Sequence, residues 1–426
     1  MPMFKKITTF PDIYSAIMPL YYFSKILGLA PFKFVREHNS HGKIRRTATT
    51  KCGFIYTILV MSAILFGTVA AISWKAEFHY QHSSKSSLAS NLFYWITSTA
   101  SSIFSLLMGG LLNAKKLLKL LNKIHLFDSK FFFDRNFIYR RTYIFVIIEI
   151  TIFCTAYLAF TLFNYFVYSA SGTFNNRLCV GYQIYLINFI VMIQFCNIVY
   201  LIYQRLSILN KRLIECMKNN HSNLVSERNF HIFSLFNADV SNCMFEKSPI
   251  SQIEKDTTKV LANIRNLREQ HWSLRYLADL INDIFGFQIL LEFIAVFLDV
   301  TGNFYFVLRF ILSSENAIEK MATNKELLCI CKLGWITAHA LKIICVVMLC
   351  HKTSAECSRT ADHLQHLMLS VPTDAAVTKE LLLFSHQINS RPFRFTAFGF
   401  FDINRSVLCS FVGGIATYLV VLIQFP

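Results

Sequence analysis

Trp335 and His339 stand four residues apart in an apolar run, so on a helix they share a face one turn apart. An indole beside an imidazole offers a flat apolar surface and a hydrogen-bonding group, the two features a small polar ligand needs. Similar residues recur in the other apolar runs: Asn91, Tyr94, Trp95 and Thr99; Asn164 and Tyr165; Tyr182, Gln183 and Tyr185; Asp299, Thr301 and Asn303; and Thr337 between the first pair. Polar groups in hydrocarbon are costly, so they are either functional or satisfied by one another. Taken singly, each is as compatible with helix packing or an interfacial aromatic belt as with ligand contact. Glu149, Glu292, Arg309 and Lys342 are charges in the same runs, read as interhelical pairs or groups facing a water-filled crevice, with partners unassigned.

Catalytic chemistry finds no support. The sequence has no Gly-rich phosphate loop, no His-Glu-x-x-His, no Gly-x-Ser-x-Gly and no paired carboxylates at a spacing suited to catalysis in one segment. His363 and His366 share a helix face but lack a third ligand, and Cys329-x-Cys331 is tighter than the usual zinc spacing. The expectation is a non-enzyme with neither cofactor nor metal.

The elements that must position these residues are membrane helices. A mean hydropathy of +0.43, with 54% hydrophobic and 16% charged residues, lies outside the soluble globular range. Seven apolar runs are long enough to cross a bilayer: 53–74, 88–112, 142–168, 180–203, 284–312, 327–350 and 406–425. The fold class expected is an all-α membrane protein of seven transmembrane helices with cytoplasmic helical extensions. The first run follows about 50 residues carrying several charges and is not read as a signal peptide.

Basic residues set the orientation, because Lys and Arg stay on the cytoplasmic side. They crowd the segment before span one (Lys5, Lys6, Lys43, Arg45, Arg46), the connection between spans two and three (Lys115, Lys116, Lys119, Lys123, Arg140, Arg141) and the one from Gln204 to Asn282. The alternate loops carry only Lys75 and Lys85, then Arg177, then Lys320 and Lys325. The N-terminus is therefore read as cytoplasmic and the C-terminus as extracellular. The net charge of +17 is mostly this signal, with some attraction to anionic inner-leaflet lipids, and not a nucleic-acid footprint. Cys179 falls near the same face as Cys329 and Cys331, and its pairing with either stays open. The sequons at Asn220 and Asn404 fall on the inner side or in the membrane, where no glycosylation is expected.

The chain divides into a cytoplasmic segment over 1–52, spans one to six over 53–350, and an amphipathic helix plus final span over 351–426. Residues 218–251 read as a flexible insertion. After it Val260, Ile264, Leu267, His271, Leu274, Ala278 and Ile281 make an apolar stripe that runs without a breaker into span five. No internal repeat is visible.

The final span contains Thr417-Tyr418, five aliphatic residues, then Gln424-Phe425. That pattern resembles the C-terminal signature of insect gustatory receptors, and with Ile403-Asn404-Arg405-Ser406 it is most similar to their fructose-sensing subgroup. Weaker likenesses are Trp335-Ile336-x-x-His339, Cys350-His351, Ala355-Glu356-Cys357-Ser358-Arg359, and Ser24-Lys25-x-Leu27-Gly28-Leu29-Ala30-Pro31. The resemblance implies a multi-pass plasma-membrane taste receptor: a homotetrameric, non-selective cation channel, with other receptor subunits as further partners, opened by a small sugar, fructose first. The last span of each subunit would line the pore. Val421, Gln424 and Phe425 share a face there, with Tyr418 and Gly414 on the turns below, so rings of Val421 and Phe425 would gate by dewetting and Gln424 would meet the ions. Thr417 and Tyr418 would tie neighbouring helices together. The sugar would use Trp335, His339, Thr337, Thr301, Asn303, Asp299, Tyr94, Trp95, Tyr165 and Tyr185. An odorant-receptor-like channel, or a secondary transporter, are the other readings.

Overall fold

The computed structural model describes residues 12–39, 42–82, 85–132, 135–170, 179–236, 249–312, 322–370 and 375–424. The elements are α1 (Ile13–Ala16), α2 (Met18–Ile26), β1 (Phe32–Asn39), β2 (Gly42–Thr49), α3 (Lys51–His82), α4 (Lys85–Leu106), a π-helical turn (Leu107–Leu112) and α5 (Ala114–Phe131). There follow α6 (Arg135–Ala170), α7 (Cys179–Phe236), α8 (Pro249–Leu312), α9 (Ala322–Ser370), α10 (Ala375–Ser390), β3 (Thr396–Ala397), β4 (Phe401–Asp402) and α11 (Arg405–Gln424).

Helix dominates because a chain crossing hydrocarbon must satisfy its own backbone. Among the described residues seven helices are long and apolar enough to span, at Lys51–Trp74, Trp95–Leu112, Asn136–Val167, Gly181–Cys216, Thr258–Ile311, Glu326–Leu369 and Arg405–Gln424. They coincide with the seven runs expected from hydropathy. The apolar stretch of α8 counts 54 residues, roughly 80 Å of helix against a hydrocarbon core of about 30 Å, so only part of it lies in lipid.

Two compact units form. One draws on Met1–Ile198, Leu280–Cys350 and Thr396–Pro426, the other on Val199–Asp279 and His351–Phe395. In the first, α7 is the central helix, burying Ile184, Ile187, Ile190 and Val191 against Leu20, Leu29, Ile64, Trp95 and Val146. By contrast α6 leaves Ile144, Ile148, Ile152, Leu158, Leu162 and Phe166 exposed, a stripe suited to lipid. In the second unit α8 buries Ile264, Leu267, His271, Leu274 and Ala278, so the stripe seen in the sequence is a packing surface. There Arg268 pairs with Glu380 at 2.6 Å, and Asn210 donates to the Glu356 carboxylate at 3.0 Å while accepting from Thr360 at 2.7 Å.

Residues 218–251, read as a flexible insertion, are helical to Phe236 and again from Pro249, and 237–248 lie outside the described residues. The antiparallel hairpin β1–β2 pairs Phe32 with Thr49 and Asn39 with Gly42, structure that charge counting did not reveal. Asn404, noted as a sequon, caps α11 instead: its Oδ1 accepts from the Ser406 backbone N–H at 3.0 Å. The Cys179 side chain lies outside the described residues, and Cys329 and Cys331 are buried free thiols.

The motif near the N-terminus has a mechanical role. Gly28 ends α2 with φ of +79°, a conformation glycine adopts without penalty. Its carbonyl accepts from Thr57 Oγ1 at 2.7 Å, and Ser24 Oγ accepts from Gln194 Nε2 at 2.6 Å. The turn sits directly on the π-helical segment, where a Cβ at Gly110 would come within 2.8 Å of the Gly28 carbonyl oxygen. Gly110→Ala should therefore cost about 1–3 kcal/mol and lower the melting temperature of the detergent-solubilised protein. Gly302→Ala, where a Cβ meets nothing within 4 Å, should leave it unchanged or raised. Equal melting of the two variants would refute the packing role.

Candidate ligand site and terminal helix

Neighbouring α7, α8 and α9 bring the chemistry-bearing residues together. Trp335 lies at the centre: Tyr185 stacks on it at 4.1 Å between ring centroids, Tyr182 lies near-parallel at 6.4 Å, and Phe160 meets it edge-on at 4.8 Å. Phe160 can come this close because Gly334 lacks a side chain, since a Cβ there would stand 2.4 Å from the phenyl ring. One turn along α9, His339 lies under the indole at 5.9 Å and contacts Tyr185 at 5.4 Å. Its Nε2 approaches Asp299 Oδ2 to 2.8 Å, a close polar contact off the line of a good hydrogen bond, and its Nδ1 has no hydrogen-bond partner among the described residues. Asn303 Nδ2 donates to the other oxygen of Asp299 at 2.6 Å.

A second polar layer lies two turns along α8. Glu292 forms a buried ion pair with Lys342 and accepts from Ser101 Oγ at 2.9 Å. The Lys342 ammonium sits 4.4 Å from the centre of the Phe189 ring, and Phe189 in turn contacts His339 at 5.9 Å. Antiparallel helices explain the pattern: Glu292 and Asp299 are seven residues apart on α8, and Lys342 and His339 are three apart in the opposite direction. Of the other unassigned charges, Glu149 accepts from Asn197 Nδ2 at 2.5 Å, and Arg309 is exposed with its guanidinium 6.0 Å from the Tyr305 ring. Among the described residues no group of His, Cys, Asp and Glu could hold a metal.

At the other end, α11 packs on α8. Phe297 receives Phe411 at 5.5 Å and Tyr418 at 5.6 Å, both edge-on, and a Cβ at Gly414 would stand 3.0 Å from it. Beyond this seam Val412, Val420, Val421 and Ile423 are exposed apolar side chains.

The sequence profile of the 7tm chemosensory receptor family matches residues 17–426. The chain belongs to that family. Its curated relatives include the gustatory receptor for sugar taste 43a of Drosophila melanogaster, 30% identical over 164 residues, and gustatory receptor 68a of the same fly, 28% identical over 168 residues. Each match takes in 38% of this chain, and only 36% and 40% of the respective relatives. In fold, the receptor is similar to the olfactory receptor OR5 of Machilis hrabei in complex with eugenol, with a TM-score of 0.59 at 15% identity, over 97% of this chain and 99% of that one. It is thus a multi-pass membrane protein of the insect gustatory receptor family, and a receptor, not an enzyme.

Of the residues singled out from sequence, the receptor brings Trp335, His339, Asp299, Asn303 and Tyr185 into one cluster. Of the others, those that are described lie elsewhere. Thr337 is exposed with its hydroxyl bonded to the Leu333 carbonyl at 2.8 Å, because it lies about 200° round the helix from Trp335. Thr301 is buried but donates to the Phe297 carbonyl of its own helix at 2.7 Å. Trp95 packs over Gly181 in the core, and Tyr165 is half exposed on α6. The Tyr94 side chain and Phe425 lie outside the described residues. Tyr418, grouped with Val421 and Gln424, meets Phe297 of its own chain, whereas Val421 and Gln424 are exposed. Phe160, Phe189 and Ser101 were missed, and the matched spacings on α8 and α9 were the signal for the Glu292–Lys342 pair.

A buried carboxylate stripped of its cation is far costlier than the pair replaced together. Lys342→Met should destabilise the solubilised receptor by about 3–5 kcal/mol, and adding Glu292→Gln should restore most of the loss while keeping the Ser101 bond. Thermal denaturation of the two variants decides this, and a double variant no more stable than the single one would show that the pair is not the source.

Proposed function

We propose that this receptor is a homotetrameric, sugar-gated, non-selective cation channel of taste cells, with its N-terminus cytoplasmic and fructose its foremost ligand. The observation that carries the reading is the meeting of a stacked indole, Trp335, with a polar edge of His339, Asp299 and Asn303 inside the helical bundle. A sugar ring has one apolar face, which suits the indole, and hydroxyls that suit a carboxylate, an amide and the free Nδ1 of His339. Tyr185 now covers the indole face, and the sugar takes that place when it binds. The basic-residue asymmetry supports the orientation. The relative that is named for sugar taste supports the ligand class.

Exposed Val421 and Gln424 on α11 suit a pore-lining face, closed by an apolar ring and wetted on opening. Opening needs only that sugar bind the open state better than the closed one. The second reading, a channel gated by aromatic volatiles, is favoured by the four rings of Phe160, Tyr182, Tyr185 and Trp335, and by similarity to a receptor solved with eugenol.

Whole-cell current from cells expressing this chain alone tests both. Fructose, glucose, sucrose, inositol, a bitter panel and eugenol are perfused in turn. An inward cation current to fructose, absent in Trp335→Ala at equal surface expression, is expected. Current to eugenol alone would support the second reading, and an unchanged fructose dose–response in Trp335→Ala would remove the indole from the site. Gln424→Ala should alter ion permeation or resting current without moving the half-maximal fructose concentration, and a shift in that concentration alone would argue against a pore position.

A further inference from the structure

Helix α5 has two unlike faces. Leu117, Leu118, Leu120, Leu121 and Ile124 are buried, and the helix packs against α1, β2 and the π-helical turn. Opposite them, Lys115, Lys116 and Lys119 are exposed. At 100° per residue these three, together with Lys123 and Lys130, fall within an arc of about 100°. No acid shares that arc. Asp128, the one acid of α5, is buried and accepts from the Tyr139 hydroxyl at 2.8 Å.

The lysines of the first turn do not serve the helix itself. Lys115 and Lys116 lie in its first turn, where the macrodipole disfavours cations and where no acid is present. The neighbouring strand β2 adds no compensating acid, since its sequence carries Lys43, Arg45 and Arg46. Three exposed lysines in the first two turns of a helix, Lys115, Lys116 and Lys119, on one side and with no acid on their arc, call for an external anion.

Distance from the membrane narrows what that anion is. The second apolar span ends at Leu112, and a helix rises 1.5 Å per residue, so Lys115, Lys116 and Lys119 lie within about 10 Å of the span's end whatever the tilt of α5. That is about one Debye length at physiological salt, close enough to feel charged headgroups. We propose that the face formed by Lys115, Lys116 and Lys119 binds the headgroups of anionic inner-leaflet lipids and so fixes the cytoplasmic end of the second span at the membrane surface. The inference rests on the cytoplasmic placement of α5 in the proposed function, but its chemistry is read without a sugar, a current or a topology.

The test is native mass spectrometry of the full-length receptor in detergent, titrated separately with phosphatidylserine and phosphatidylcholine. The triple variant Lys115→Gln/Lys116→Gln/Lys119→Gln should bind the first phosphatidylserine at least about tenfold more weakly than the parent, with phosphatidylcholine unchanged. The triple Lys→Arg variant, which keeps the charge, should bind as the parent does. Equal phosphatidylserine affinity in parent and Gln variant overturns the proposal, and that result would leave an acidic protein as the partner of this face. Equal weakening towards both lipids also overturns it, since that outcome marks a structural effect. Should the triple Gln variant not fold, Lys116→Gln alone gives the same reading, with a loss of about fivefold expected and no loss overturning it.

Discussion

Hydrocarbon offers no water to a stray polar group, and the contact between α8 and α9 is built around that constraint. Glu292 meets Lys342, and two turns further Asp299 meets His339, each side chain largely removed from solvent. The ladder fixes both the register and the antiparallel sense of the two helices, because a slip of one residue would turn four ionisable groups away from their partners. Trp335 owes its place to that register. Once His339 is held by Asp299, the indole one turn away must face Tyr185 and Phe160.

The two layers differ in how completely they are satisfied. Glu292 has both a cation and a hydroxyl, and Lys342 adds a ring face. Around His339 the account stays open, with Nδ1 unpaired and the contact to Asp299 poorly aligned. An unmet buried donor or acceptor costs free energy that a polar ligand can recover. The Glu292–Lys342 layer therefore behaves as structure, and the Asp299–His339 layer as a place with bonds still to make.

Much of the fold was legible because a membrane span announces itself by length and hydropathy alone. All seven spans and the buried stripe of α8 follow from that. The hairpin β1–β2 did not, since its alternation of Phe32, Lys33, Phe34 is short and was masked by the basic residues that report topology. At the site, Trp335 and His339 were visible through their one-turn spacing, whereas Thr337, two residues from the indole, points to the other side of the helix. What the sequence withheld was the partner of each charge. That depends on which helices neighbour one another, and no periodicity within a single helix encodes it.

The same helix that carries Glu292 and Asp299 also holds the last helix in place. Asn282 Oδ1 accepts from the Thr396 backbone N–H at 3.1 Å, and Phe287 meets Phe398 edge-on at 5.3 Å. Phe398 occupies a positive φ of 53°, an unfavourable conformation for a phenylalanine, at the tip of the β3–β4 hairpin that leads into α11. Further along, Phe297 fills the space beside Gly414 and Tyr418. Thus α8 touches the hairpin and α11 at several points between Asn282 and Phe297, and Asp299 lies only two residues beyond the last of them. Packed interfaces of this kind move between discrete arrangements and do not deform smoothly. On the proposed function, a ligand that draws Asp299 away from His339 cannot shift α8 without repacking its seam with α11, so the binding site and the pore-lining helix share one mechanical element.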